Sequence, residues 1–122
     1  MKAIYFGDPG GDVEEEGLAI KKFLGKHNIN FNIIFTDIPP WEENFDILFF
    51  DWGGISIGNS MLEHFCRWII EHAENHPGNI YVMTSLFTER AMEDAIDRIP
   101  EKPNNIYLNI RNEKTINALS VF

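Results

Sequence analysis

The run Ile47, Leu48, Phe49, Phe50 contains no polar residue, yet it is bounded by Asp46 and Asp51. Consecutive apolar residues in an extended segment put large side chains on both of its faces. Such a strand must be covered on both sides, as the central strand of a helix-flanked parallel sheet is. Its carboxyl end opens into Trp52, Gly53 and Gly54, with Ser56 and Asn59 beyond them. A glycine-rich loop after a central strand is where open α/β sheets place their ligands.

The neighbouring segments repeat the theme. Residues 2–6 form a short apolar run ended by Gly7, Asp8, Pro9, Gly10 and Gly11, which predicts a first strand stopping at a turn-rich loop. Asp12 is a good N-cap with Glu15 three residues on; Val13, Gly17, Ile20 and Leu24 share one helical face, and Gly25 with Asn28 supplies the stop. Phe31, Ile33, Ile34 and Phe35 mark a second strand over residues 31–37. Ile38, Pro39, Pro40 and Trp41 end it, and only a short turn fits before Phe45. After the third strand, residues 46–51, Ser60 and Glu63 form a capping box for a helix running to about His76, where Pro77 and Gly78 end it. Leu62, Phe65, Cys66, Ile69 and Ala73 fall on its inner face, broadened by Trp68 and Ile70. A fourth strand over 80–85, a helix over 87–99, a fifth strand over 106–110 and a short helix within 112–122 complete the chain.

Strands alternating with helices predict an α/β, three-layer αβα sandwich. Its five-stranded parallel sheet has right-handed crossovers and the flavodoxin-like order 2-1-3-4-5. The chain has 122 residues, 44% of them hydrophobic and ten of them Phe, enough for the core of one domain spanning 1–122. That strand order brings the loops after strands one and three together, and with them Asp8 and Asp12 towards Asp51 and Trp52.

Charge narrows the partners. Nineteen acidic residues against ten basic ones give a net charge of -9, which opposes binding to nucleic acid or anionic lipid and favours a basic protein surface or a metal cation. The single cysteine, Cys66, lies in an apolar helical pattern and reads as packing in a reducing compartment. No apolar run approaches the ~20 residues of a membrane span, and the chain enters a strand pattern without a signal-peptide region. A cytoplasmic protein is expected.

The segment Asp46 to Asp51 resembles the third strand of response-regulator receiver domains, which reads acidic residue, apolar run, phosphoacceptor aspartate. Thr84 and Ser85 resemble the hydroxyl and small residue closing that family's fourth strand, and Tyr107 the aromatic residue of its fifth. Asp8 matches the second member of its acidic pair. The resemblance implies a receiver-like fold, with Asp51 as phosphoacceptor, Thr84 as reporting hydroxyl and a Mg2+ ion between the acidic residues. Gly7 stands where the other acid would be, and Ile110 where the family places a lysine, so the resemblance is to a degenerate receiver.

Asp8, Asp12 and Asp51 form a candidate Mg2+ site, since hard cations take carboxylate oxygens. Against it, Asp12 already serves as an N-cap and Asp8 is a common turn residue before proline. The loop 7–12 has neither GxGxxG nor GxxxxGK[ST] spacing, and Glu14, Glu15 and Glu16 in the following turn repel a bare phosphate. Trp52 could stack on FMN, but no Ser/Thr-rich phosphate loop follows strand one, which argues against that cofactor. Pro9 occupies the place where SGNH hydrolases carry their nucleophilic serine. His72 and His76, four apart on a helix, have zinc-compatible spacing, but Ala73 stands where an HExxH motif needs glutamate; two His in a last turn more often serve the helix's negative end. His27 and His64 read as surface or packing residues.

Three functions compete. The leading one is a non-enzymatic regulatory or protein-binding module with its contact surface on the acidic rim and the loop 51–59, from Asp51 through Trp52, Gly53, Gly54 and Ser56 to Asn59, with Ser85 and Tyr107 as further candidate binding residues. The second is a Mg2+-dependent phosphoacceptor or phosphoryl-transfer domain using Asp51, Asp8, Asp12 and Thr84. The third is a small acidic accessory protein of a mobile element that engages a basic host protein.

Overall fold

The computed structural model describes residues 2–7, 13–51, 59–84 and 102–121. In chain order these form β1 (Ala3–Phe6), α1 (Val13–Lys26), β2 (Ile33–Thr36), β3 (Ile47–Phe50), α2 (Asn59–Asn75), β4 (Ile80–Met83), β5 (Ile106–Tyr107) and α3 (Glu113–Leu119). The strands make one parallel sheet in the order β2-β1-β3-β4-β5, the flavodoxin-like arrangement expected from the sequence. The helix expected over 87–99 lies outside the described residues.

Side chains alternate between the two faces of the sheet, and both faces are covered. On one, Ile4, Phe6, Leu48, Phe50, Tyr81 and Met83 meet Phe65, Cys66, Ile69 and Ala73 of α2, with Trp41 and Trp68 packed at the margin. On the other, Tyr5, Ile33, Phe49 and Val82 meet Ile20 and Leu24 of α1 and Leu119 of α3. Ile47 to Phe50 are all fully buried, the outcome their uninterrupted apolar run requires. Each such side chain contributes roughly 1.5–3 kcal/mol by leaving water.

Local chemistry sets the helix ends. Asn28 has φ 60°, and the Asn28 and Ile29 N–H groups donate to the carbonyls of Gly25 and Leu24 at 3.1 and 2.9 Å, a Schellman stop in which asparagine takes the left-handed position. Ile29 then returns to the core beside Leu24. Asn105 Nδ2 donates to the carbonyls of Ala73, His76 and Asn79 at 3.0–3.2 Å, satisfying acceptors at and beyond the end of α2. Asn112 caps α3 by accepting from the Lys114 N–H at 2.9 Å.

Several boundaries depart from expectation: β2, expected over 31–37, spans Ile33–Thr36, and β4, expected over 80–85, spans Ile80–Met83. The fifth strand, expected over 106–110, pairs only at Ile106 and Tyr107, in register with Tyr81 and Val82. Beyond it Asn109 accepts from the Arg111 N–H at 2.8 Å and turns the chain, while Ile110 stays buried. Lys102 Nζ donates to the Ile106 carbonyl at 2.7 Å, closing part of this short edge with a cation. The α2 helix begins at Asn59, one residue before the expected cap Ser60.

Between β2 and β3 the chain crosses the α2 face without a described helix. Thr36 closes β2 by a side-chain turn, its Oγ1 accepting from the Ile38 N–H at 3.0 Å, and Pro39 and Pro40 follow. Trp41 then packs edge-on against Trp68, with ring centroids 5.2 Å apart. This strap leaves Ile34 at 55% and Ile38 at 69% exposure.

Candidate functional site at the carboxyl ends of the strands

Parallel pairing puts the ends of β1, β3 and β4 side by side, and register fixes which side chains share a face. Tyr5 is level with Phe49, which is level with Val82, so Asp51 and Thr84 each stand two residues further along their strands on the α1 side. Backbone bonds extend the ladder to that level: the Asp51 N–H donates to the Phe6 carbonyl at 3.1 Å, and the Thr84 N–H to the Phe50 carbonyl at 2.8 Å. Asp51 is 6% and Thr84 2% exposed. The two residues that the sequence nominated for chemistry therefore stand on adjacent strand ends, both buried.

Sequence reasoning missed two further members of this cluster. The Tyr5 hydroxyl donates a hydrogen bond to a carboxylate oxygen of Glu16 on α1. Burial, then this hydrogen bond and the charges of Glu16 and Asp51, push the Tyr5 phenol far above its ordinary range, while a hydrogen bond with Thr84 acts in the opposite direction. The phenol is consequently a fixed donor at neutral pH, and the carboxylates face a group that stays protonated. The available signal was a tyrosine within a wholly apolar strand, whose hydroxyl needs a partner when buried. As one of three consecutive first-turn acids that repel a bare phosphate, Glu16 gives no sign of this pairing in the sequence.

Thr84 is tethered as well as placed. Its Oγ1 donates to the Phe50 carbonyl at 3.2 Å, so the same carbonyl accepts from both the amide and the hydroxyl of Thr84. To report on a group attached to Asp51, the hydroxyl would have to leave this bond. Ile110, where the receiver resemblance places a lysine, is fully buried and apolar. Tyr107 is half-buried and in register with Val82, two residues short of Thr84's level.

Asp8, Asp12, Trp52, Gly53, Gly54, Ser56 and Ser85 lie outside the described residues; Asn59 opens α2. Asp51 offers the hard carboxylate oxygens that Mg2+ prefers, so the residue at the end of β3 fits that ion. Among the described residues no group of three His, Cys, Asp or Glu side chains is placed to hold a metal.

His72, in the last turn of α2, and His76, just beyond it, lie at the opposite end of the sheet. The His76 Nδ1–H donates to the His72 carbonyl at 2.8 Å, serving the helix's negative end as expected. His72 instead stacks on Phe45, with ring centroids 5.1 Å apart, and its Nδ1 hydrogen-bonds the Tyr81 hydroxyl. Burial, then the neighbouring His76, hold His72 below its ordinary value. A neutral imidazole accepting from Tyr81 satisfies both groups.

No described helix is long and apolar enough to cross a membrane. Comparison of the chain with family models, curated proteins and solved structures finds no match.

Proposed function

We propose that this chain is a non-enzymatic, cytoplasmic regulatory module that binds a protein partner, with a degenerate receiver-like end that takes up Mg2+ without lasting phosphorylation. The supporting observation is Ile110. Phosphoryl transfer to a carboxylate concentrates negative charge that a preorganised cation must meet, and a fully buried isoleucine supplies none at the position where the resemblance puts a lysine. The tethered Thr84 hydroxyl and the Tyr5–Glu16 bond support the same reading, because they spend the local donors on protein groups. Asp51, with Asp8 and Asp12, would hold the ion, which would supply positive charge between carboxylates.

Incubation with a small acyl phosphate and Mg2+, read by intact mass, tests the proposal. The expected product is unmodified protein. A stoichiometric phosphoryl adduct that disappears in Asp51→Asn would overturn it in favour of a phosphoacceptor domain, the reading that the adjacency of Asp51 and Thr84 favours.

A further inference from the structure

The strap between β2 and β3 leaves a groove of about 590 Å3 on the α2 face of the sheet, with Ile4, Ile34, Ile38, Pro40 and Trp41 among its walls. We propose that this groove receives an amphipathic helix with basic flanks, contributed by a partner protein. The inference rests on the protein-binding reading above and names where and what the partner is.

Three observations lead to a helix of that charge. The first is architectural: α2 packs on this face, whereas the connection between β2 and β3 is an irregular strap, so among the described residues no helix covers Ile34 at the β2 edge. The second is apolar surface. Ile34 and Ile38 are 55% and 69% exposed and lie with Trp41 in one groove, a contiguous apolar lining of the kind that accepts helix anchors spaced i, i+3 or i+4, i+7. The third is charge. Glu42 and Glu43 line the groove and exposed Asp37 adjoins Ile38, while the one lining ammonium among the described residues, Lys2, is held by Glu43 at 2.9 Å. With a chain net charge of -9, lysines and arginines flanking an apolar stripe complement this rim and accelerate encounter.

The test uses the whole chain and a synthetic Leu/Lys peptide of about 15 residues, patterned as an amphipathic helix. Amide chemical-shift mapping should show saturable one-to-one binding centred on Ile34, Thr36, Ile38 and Trp41. Affinity should fall about tenfold or more in Ile34→Asp, an exposed position whose replacement should leave the circular dichroism spectrum unchanged, and should be lost for a peptide of the same composition with its pattern scrambled. Shifts spread over the acidic surface, equal binding of the scrambled peptide, or indifference to Ile34→Asp would overturn the proposal. A wild-type dimer that Ile34→Asp dissociates, seen by sedimentation, would assign the groove to a second copy and overturn it too. The phosphodonor experiment does not involve this groove, so either result can fail alone.

Discussion

The Tyr5 hydroxyl donates to the Glu16 carboxylate across the interface between β1 and α1, at the level where Asp51 and Thr84 leave the sheet. It ties the helix that follows the first loop to the strand that precedes it. Tyr5→Phe keeps the ring in the core but withdraws the donor from Glu16. A hydrogen bond to a charged group contributes roughly 1.5–3 kcal/mol, and a loss of that order is expected in urea unfolding. An unchanged midpoint would show that water replaces the phenol. The folded-state value is raised, so the folded chain holds this proton at pH values where the unfolded chain has released it. Stability from this group is complete below about pH 10 and falls as pH rises beyond it.

His72 predicts an acid limb. Its folded value is lowered by burial and by His76, so the unfolded chain binds the proton more readily. The stabilisation is present above the unfolded value of about 6.5 and is lost as pH falls below it. The ring resonances of His72 should titrate with a midpoint below that of a free histidine, and unfolding midpoints should drop over the same range. In Tyr81→Phe the imidazole loses its hydroxyl partner, and its titration should move; an identical curve would remove Tyr81 from the account.

Two glycines of α1 should respond in opposite directions to alanine. A Cβ at Gly17 would stand 2.2 Å from the Phe35 ring, whereas nothing lies within 4 Å of one at Gly25. Alanine favours a helix by about 1 kcal/mol in both places, but overpacking costs roughly 1–3 kcal/mol at the first. Gly25→Ala is therefore expected to raise the melting temperature and Gly17→Ala to lower it. Equal shifts would mean that Phe35 moves aside freely.

What the sequence made legible was what short-range pattern controls. Ile47 to Phe50 read as a buried strand because no polar residue interrupts them, and Asn28 read as a helix stop because few residues adopt a left-handed backbone at low cost. The strand order followed from alternation and crossover handedness, and it placed Asp51 and Thr84 correctly at one end of the sheet. Reading failed where tertiary contact decides. Ile110 extended the fifth strand on paper because it is apolar and buried, although burial there comes from packing against the α3 side and not from pairing. Tyr5 and Glu16 are eleven residues apart, and neither residue type announces the other; only the docking of α1 brings them together. Ile34 read as an ordinary strand residue, and its exposure follows from the irregular strap after β2, which lines the same groove without covering it.

Asp51 carries the last prediction. Its carboxylate is 6% exposed and shares the Tyr5 hydroxyl's surroundings with Glu16, so negative charge accumulates at the end of β3. A cation relieves such charge, and the candidate ligands Asp8 and Asp12 fall in the sequence between the adjacent strand β1 and α1. Millimolar Mg2+ is expected to raise the melting temperature of the wild type, approaching the equivalent of about 2.7 kcal/mol when the ion is a hundredfold above its dissociation constant. Asp51→Asn should lose most of that gain while remaining folded, and Glu16→Gln should lose only part of it, because Glu16 adds to the local negative charge without being a candidate ligand. A Mg2+-insensitive wild type together with a destabilised Asp51→Asn would make Asp51 a structural acceptor at the strand end, and the metal reading would be withdrawn.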